Sequence, residues 1–207
     1  MIAWAVEGLV LCKKVTVDGG ADLLAFGSFN SNHVSIVRED GCLDLYDGKL
    51  RAKDFEGKII FDQVAPADYL DYIREEVRPW SYMKFPFITS LGEEDGWYRV
   101  GPLARLNNAA RIATPQADAA LREWKTKRGG IRRSSFYYHW ARLIELLYAT
   151  ENWVRLATDP EITSKEYRVL PTQTPTEGVG SVEAPRGTLT HHYTTDERGI
   201  LTKVNLI

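Results

Sequence analysis

The stretch from Ser134 to about Thr158 constrains the fold most. Phe136, Trp140, Leu143, Ile144, Leu147 and Val154 recur at helical spacing and form one apolar stripe. A serine stands at its start, and Asp159-Pro160 closes it. A helix striped over that length needs other elements to pack against, which makes it the centre of a core.

Further helices are predicted around it. Trp4, Gly8, Leu11 and Val15 line an opening helix that Val15-Thr-Val-Asp-Gly-Gly20 stops. Thr114-Pro115 is a cap followed by a first-turn proline; Leu121 and Trp124 follow, Glu123 can pair with Lys127, and basic Lys125, Lys127 and Arg128 precede Gly129. Pro66 starts another helix, with Tyr69, Ile73 and Val77 on one face until Arg78-Pro79. Pro79 to Phe87, rich in aromatics and prolines, is predicted to be neither helix nor regular strand and to fill a groove.

The period changes to two between His33 and Phe61. Val34 and Ile36 alternate with Ser35, and Leu43 and Leu45 with Asp44. Turns fall at Arg38–Gly41, Asp47-Gly48 and Glu56-Gly57, and Lys49-Leu-Arg51 and Lys58-Ile-Ile-Phe61 complete a meander. Leu170 to Thr176 reads as an extended connector. Leu189–Thr195, a turn at Asp196–Gly199, and Ile200–Ile207 form a hairpin. The expected fold is α+β in one domain over 1–207: helix-rich, with a small meander in the N-terminal half and a C-terminal antiparallel hairpin. There is no internal repeat and no low-complexity tract. Neither end carries a natural stop, so the chain is expected to be part of something larger.

Composition excludes several functions. The 207 residues carry 26 Lys+Arg against 28 Asp+Glu, a net charge of −2, which lacks the basic excess of a general nucleic-acid or membrane-surface binder. Apolar runs are too short to span a bilayer, and the N-terminus has no signal-peptide pattern. Cys12 and Cys42 are too few for a disulfide framework or a cysteine-based metal site, which favours a reduced, cytoplasmic setting.

Four short features could carry chemistry. In Glu183-Ala-Pro-Arg-Gly187, Pro185 fixes the backbone before Arg186 and a glycine follows, an arrangement suited to holding a guanidinium rigidly against an anion; the alternative is a turn with a surface salt bridge, which spacing alone favours. His191 and His192 point to opposite faces of a strand, which argues against one shared metal and for hydrogen-bonded structural histidines. Arg132-Arg-Ser-Ser-Phe-Tyr-Tyr-His-Trp140 locally resembles a single-strand nucleic-acid platform, but its aromatics fall on the long helix's apolar face, so core packing is preferred. Gly101-Pro-Leu-Ala-Arg-Leu-Asn107 reads as a helix start after a tight turn, from which Arg105 and Asn107 reach a neighbouring element in a structural role. Phosphate-binding loops, the nucleophile elbow and HExxH are absent.

Several segments together resemble the large subunit of cytoplasmic nickel–iron hydrogenases: Trp80-Ser-Tyr-Met-Lys-Phe-Pro86, Gly96 to Asn107, Ser134 to Glu145 and, most specifically, Glu177 to Tyr193. They occur in the family's order over essentially the whole chain. The likeness is strongest to the branch of NAD(P)-linked bidirectional, sulfhydrogenase α and methyl-viologen-reducing enzymes, and covers the central part of such a subunit.

The resemblance implies reversible oxidation of hydrogen to protons and electrons. It implies a nickel–iron centre with carbon monoxide and cyanide on the iron, held by thiolates from one N-terminal and one C-terminal CxxC, a soft-ligand set suited to these metals. This sequence has no CxxC, so no cofactor is expected to bind this fragment alone, and the fragment is expected to be inactive. By the same resemblance, Arg186 is the catalytic arginine over the open metal position. Ala184 and Pro185 are the backbone beside it, Glu183 orients Arg186 or its strand, and His191 and His192 are supporting neighbours. The implied partners are an iron–sulfur small subunit and a diaphorase-type module passing electrons to NAD(P) or another acceptor, with no nucleic acid and no membrane. The alternative is a metal-free scaffold or interaction relative, akin to the quinone-site subunit of NADH dehydrogenases. The intact Ala184–Gly187 segment favours a hydrogenase fragment over that alternative.

Overall fold

A computed structural model describes residues 1–18, 24–127, 130–170 and 172–207. Six helices are described: α1 (Ile2–Asp18), the single turns α2 (Tyr69–Tyr72) and α3 (Gly92–Asp95), α4 (Pro102–Asn108), α5 (Pro115–Thr126) and α6 (Tyr137–Ala157). The strands are β1 (Asn32–Val37), β2 (Lys49–Lys53), β3 (Ile59–Val64), β4 (Ile73–Val77), β5 (Lys84–Ile88), β6 (Tyr98–Arg99), β7 (Glu177–Glu183), β8 (Thr188–Thr195) and β9 (Leu201–Leu206). They form sheets of order β3-β2-β1-β6, β4-β5 and β7-β8-β9. The α+β expectation holds.

Helix α6 is the hub of the helical layer, packing against α1, α4 and α5. Its stripe buries Trp140, Ala141, Ile144 and Leu147 against Leu103, Leu106, Leu121 and Trp124. The Trp124 and Trp140 rings meet edge to face at 5.0 Å. Each large apolar side chain of this kind contributes ~1.5–3 kcal/mol through burial. The expected serine cap is not formed: the N-cap position of α6 is Phe136, with no side-chain cap bond, and Ser134 Oγ instead accepts from the Phe136 N–H at 3.2 Å in a local turn just before the helix.

A second core lies on one face of the four-stranded sheet, built from Val34, Ile36, Leu50, Ala52 and Phe61 with Tyr69 and Ile88. Strand β1 is buried on both faces. Its polar face, with His33 and Ser35, meets α4, where Asn108 Nδ2 donates to Ser35 Oγ at 2.9 Å and to the His33 carbonyl at 3.2 Å. Those bonds offset the cost of burying a polar face.

Four further expectations are corrected. The helix predicted from Pro66 to Val77 stops at Tyr72; from Ile73 the chain is extended and pairs antiparallel with β5, Ile73 opposite Ile88 and Val77 opposite Lys84. That pairing also turns the second half of Pro79–Phe87 into strand, with Pro86 tolerated because a two-stranded sheet has only edges. Leu43 and Leu45 form no strand. The Leu43 N–H donates to the Arg111 carbonyl at 2.8 Å and the Leu45 carbonyl accepts from the Glu183 N–H at 2.9 Å, so the segment's backbone groups are divided between the loop after α4 and the end of β7. Finally, the C-terminal hairpin gains a third strand, β7, which pairs with β8 from Glu177–Thr194 to Glu183–Thr188. The stop at Gly19-Gly20, Arg128 and Gly129 after α5, and Pro171 of the connector lie outside the described residues.

Candidate functional site

Strand β7 ends at Glu183 and β8 begins at Thr188. Between them, Ala184 and Gly187 exchange both backbone hydrogen bonds, at 2.9 and 3.1 Å, leaving Pro185 and Arg186 as the two tip residues of a tight hairpin. Arg186 is exposed. The tip's backbone is tightly seated. Gly101, at φ +84°, lies so near that a Cβ there would stand 2.4 Å from the Arg186 carbonyl oxygen. A Cβ on Gly187 would stand 2.2 Å from Val100 Cγ2. Two glycines thus let the turn and the start of α4 touch backbone to backbone. Tyr138, from the first turn of α6, donates its hydroxyl to the Val100 carbonyl at 2.8 Å and fixes the seat from the other side.

A buried ionic network lies beneath the turn. Arg105 of α4 forms a bidentate pair with Glu145 of α6, at 2.6 and 2.7 Å. Its remaining terminal nitrogen donates to Glu183 Oε2 at 2.8 Å and to the Ala184 carbonyl at 3.0 Å. Glu183 Oε1 accepts from the Ile36 N–H of β1 at 2.7 Å and from Thr188 Oγ1 at 2.8 Å. Burial opposes the charge on Arg105, but the two carboxylates outweigh it and raise its pKa above the ordinary value. Burial raises the pKa of Glu183, and Arg105 opposes that rise. The Arg105 guanidinium 2.8 Å from Oε2 and the Ile36 N–H 2.7 Å from Oε1 both favour the carboxylate form. The network ties α4, α6, β1 and the hairpin to one point.

The sequence-predicted residues separate here. Glu183, Ala184, Pro185 and Arg186 are contiguous on the turn, but Glu183 pairs with Arg105, and so orients its strand rather than Arg186. Among the described residues no hydrogen bond or ion pair engages the Arg186 guanidinium. The backbone of the turn is thus held rigidly while its guanidinium stays exposed. His191 and His192 stand opposite Gly180 and Val179, about 15 Å or more along the strand from the tip at ~3.3 Å per residue. His192 bonds to Tyr69 at 3.2 Å and Glu177 at 2.8 Å; His191 bonds to Tyr193 at 2.5 Å. They fall on opposite faces as expected, and the structure does not bring them to the turn.

Sequence reasoning misses Glu145 and reads Arg105 only as a structural residue. Their signal is a charge inside an apolar run: Leu103-Ala-Arg-Leu106, and Glu145 beside Ile144 on the helix stripe. Polar residues in such places are buried and need each other.

The chain's own residues do not fit a nickel–iron centre. No cluster of three or more His, Cys, Asp or Glu that could hold a metal occurs among the described residues. Cys12 and Cys42 are both free, and burial raises both thiol pKa values, the opposite of what a thiolate ligand needs. No described helix is long and apolar enough to cross a membrane.

No family model matches the chain. Among curated proteins, one subunit of the F420-non-reducing hydrogenase of Methanothermobacter thermautotrophicus is 44% identical over 185 residues, 88% of this chain and 38% of that one. The beta subunit of the NAD-reducing hydrogenase HoxS of Cupriavidus necator is 40% identical over 211 residues, 100% of this chain and 43% of that one. The chain thus spans less than half the length of these relatives. The solved structure of an NAD+-reducing NiFe hydrogenase in the H2-reduced state matches at TM-score 0.93 and 43% identity, covering 100% of this chain and 46% of that chain. A Ni-Fe-Se hydrogenase from Desulfovibrio vulgaris Hildenborough, 20% identical with TM-score 0.61 over 97% of this chain and 46% of its own, shares the fold. Sequence identity along most of the chain and the superposable fold place it in one family: it belongs to the large-subunit family of nickel–iron hydrogenases.

Proposed function

We propose that this chain is the part of a hydrogenase large subunit that presents Arg186 to the reaction site, in a complete protein that reversibly oxidises hydrogen to protons and electrons. The observation that carries the reading is the Glu183–Gly187 turn: a backbone locked by a buried ionic network and two glycines, ending in an exposed arginine with no partner among the described residues. A fold that immobilises a turn this thoroughly yet leaves its cation unpaired has positioned that charge for something the chain itself does not supply.

When bound, the nickel–iron centre, with its carbon monoxide and cyanide ligands, supplies the redox chemistry of hydrogen. The residues described here do not hold it. Their contribution is to fix the backbone of the turn from which Arg186 projects. In the complete protein an iron–sulfur small subunit receives the electrons, and a diaphorase-type module passes them to NAD(P) or another acceptor. The protein works in the cytoplasm. The names of the relatives matched at 40–44% identity support the hydrogenase assignment.

The test is Arg186→Lys in the complete enzyme. Lysine keeps the charge but loses the planar donor fork. Turnover is expected to fall by ~100-fold or more, the worth of a preorganised charged donor, with nickel and iron content unchanged. Near-normal turnover would overturn the assignment.

A further inference from the structure

A second cationic feature lies on the opposite end of α4 from the arginine turn. The carbonyls at this end collect three cations. Lys53 Nζ donates to the Asn107 and Asn108 carbonyls at 3.2 and 3.3 Å, Lys125 Nζ donates to the Ala109 carbonyl, and Arg51 donates to the Asn108 carbonyl at 3.4 Å. Cations at a helix C-terminus are favourable. The helix end does not need three, however, and the charges are unevenly compensated. Asp62 is taken by Arg51 in a bidentate pair, both bonds 2.7 Å. Among the described residues no carboxylate pairs with Lys53 or Lys125.

A cavity of about 240 Å³ opens between these two lysines. Leu106, Trp124 and Ile131 give it an apolar wall, and Glu56 also lines it. Each ammonium carries three N–H donors; Lys53 places two on α4 and Lys125 one, so donors remain for the cavity. We propose that this cavity binds a small inorganic oxyanion of the phosphate class, gripped between Lys53 and Lys125. Two point charges with spare donors suit a tetrahedral oxyanion, which can accept from both at once, and the volume accommodates it. The electrostatics agree with this assignment. Burial and the nearby Lys125 and Arg51 charges push Lys53 down to about 8, and burial also lowers Lys125. An anion between them would relieve that stress.

The experiment titrates inorganic phosphate into the intact chain at constant ionic strength set with sodium chloride. Calorimetry is expected to give saturable binding of one phosphate per chain, with a rise in the thermal midpoint. Lys53→Met and Lys125→Met are each expected to weaken binding at least ~tenfold, or ~1.4 kcal/mol, while Lys49→Met, on the far end of β2, leaves it unchanged. Should either variant fail to fold, carbon-13 NMR of the wild-type lysine Cε groups decides: saturating phosphate should move the Lys53 titration upward from about 8. An equal response to chloride, binding of acetate without phosphate, retained affinity in the folded Lys125→Met variant, or an unmoved Lys53 titration would each overturn the proposal.

Discussion

Arg105 is the residue on which the hairpin's position depends. Its guanidinium is buried between two carboxylates, and replacing it with alanine strands both. The expected loss is ~3–5 kcal/mol, the cost of breaking a buried pair from one side; Arg105→Lys, which cannot span both partners bidentately, should fall between. Denaturant melts of the two variants measure this. His33 makes a different prediction. It is fully buried, neither ring nitrogen has a hydrogen-bond partner among the described residues, and burial together with Arg99 and Lys53 lowers its pKa to about 4. The unfolded chain, with an ordinary histidine, then binds the extra proton more readily. Stability from this group is whole above pH ~6.5 and drains away as the pH falls toward 4, by ~3 kcal/mol in all. Urea melts across that window should show the slope, and His33→Leu should flatten it.

At the scale of elements, the contact between the hairpin turn and α4 is the vulnerable joint. Gly101→Ala demands a side chain at φ +84° and places its Cβ against the Arg186 carbonyl. Strain alone costs about 1–3 kcal/mol, and the turn must retreat as well; the melting temperature should fall and the Tyr138–Val100 hydrogen bond should be lost from the structure. How well elements can be read from sequence follows from how each is specified. Helices α5 and α6 and the β8–β9 hairpin are readable because periodicity and punctuation agree: Thr114-Pro115 before one, Asp159-Pro160 after another, Asp196–Gly199 between strands. Strand β4 is not, because Ile73 and Val77 are four apart, and residues four apart share a face in a helix and in a strand alike; only pairing with β5 decides. Strand β7, with two glycines and few apolar residues, has no pattern of its own and exists through β8. The arginine turn is readable as a motif, but the Arg105–Glu145 support beneath it joins residues 40 positions apart, which no local pattern reports.

For the whole molecule, much apolar surface faces outward. Trp4 is 74% and Leu11 65% exposed on α1, Trp153 is 58% exposed near the end of α6, and Tyr82 on the β4–β5 connection is 98% exposed. Surfaces of this kind are covered in a stable assembly or associate on their own. The isolated chain is expected to self-associate with rising concentration, which sedimentation velocity would detect as a growing fast component; a monomer at all concentrations would contradict it. The ionic network has a consequence at this scale too. Because α6, α4, β1 and the hairpin share one anchoring point, a packing defect deep in the helical layer cannot be absorbed locally. A substitution such as Ile144→Val, deep in that layer, would tilt the turn that carries Arg186, so the bearing of the exposed guanidinium is inherited from the ordinary hydrocarbon beneath it.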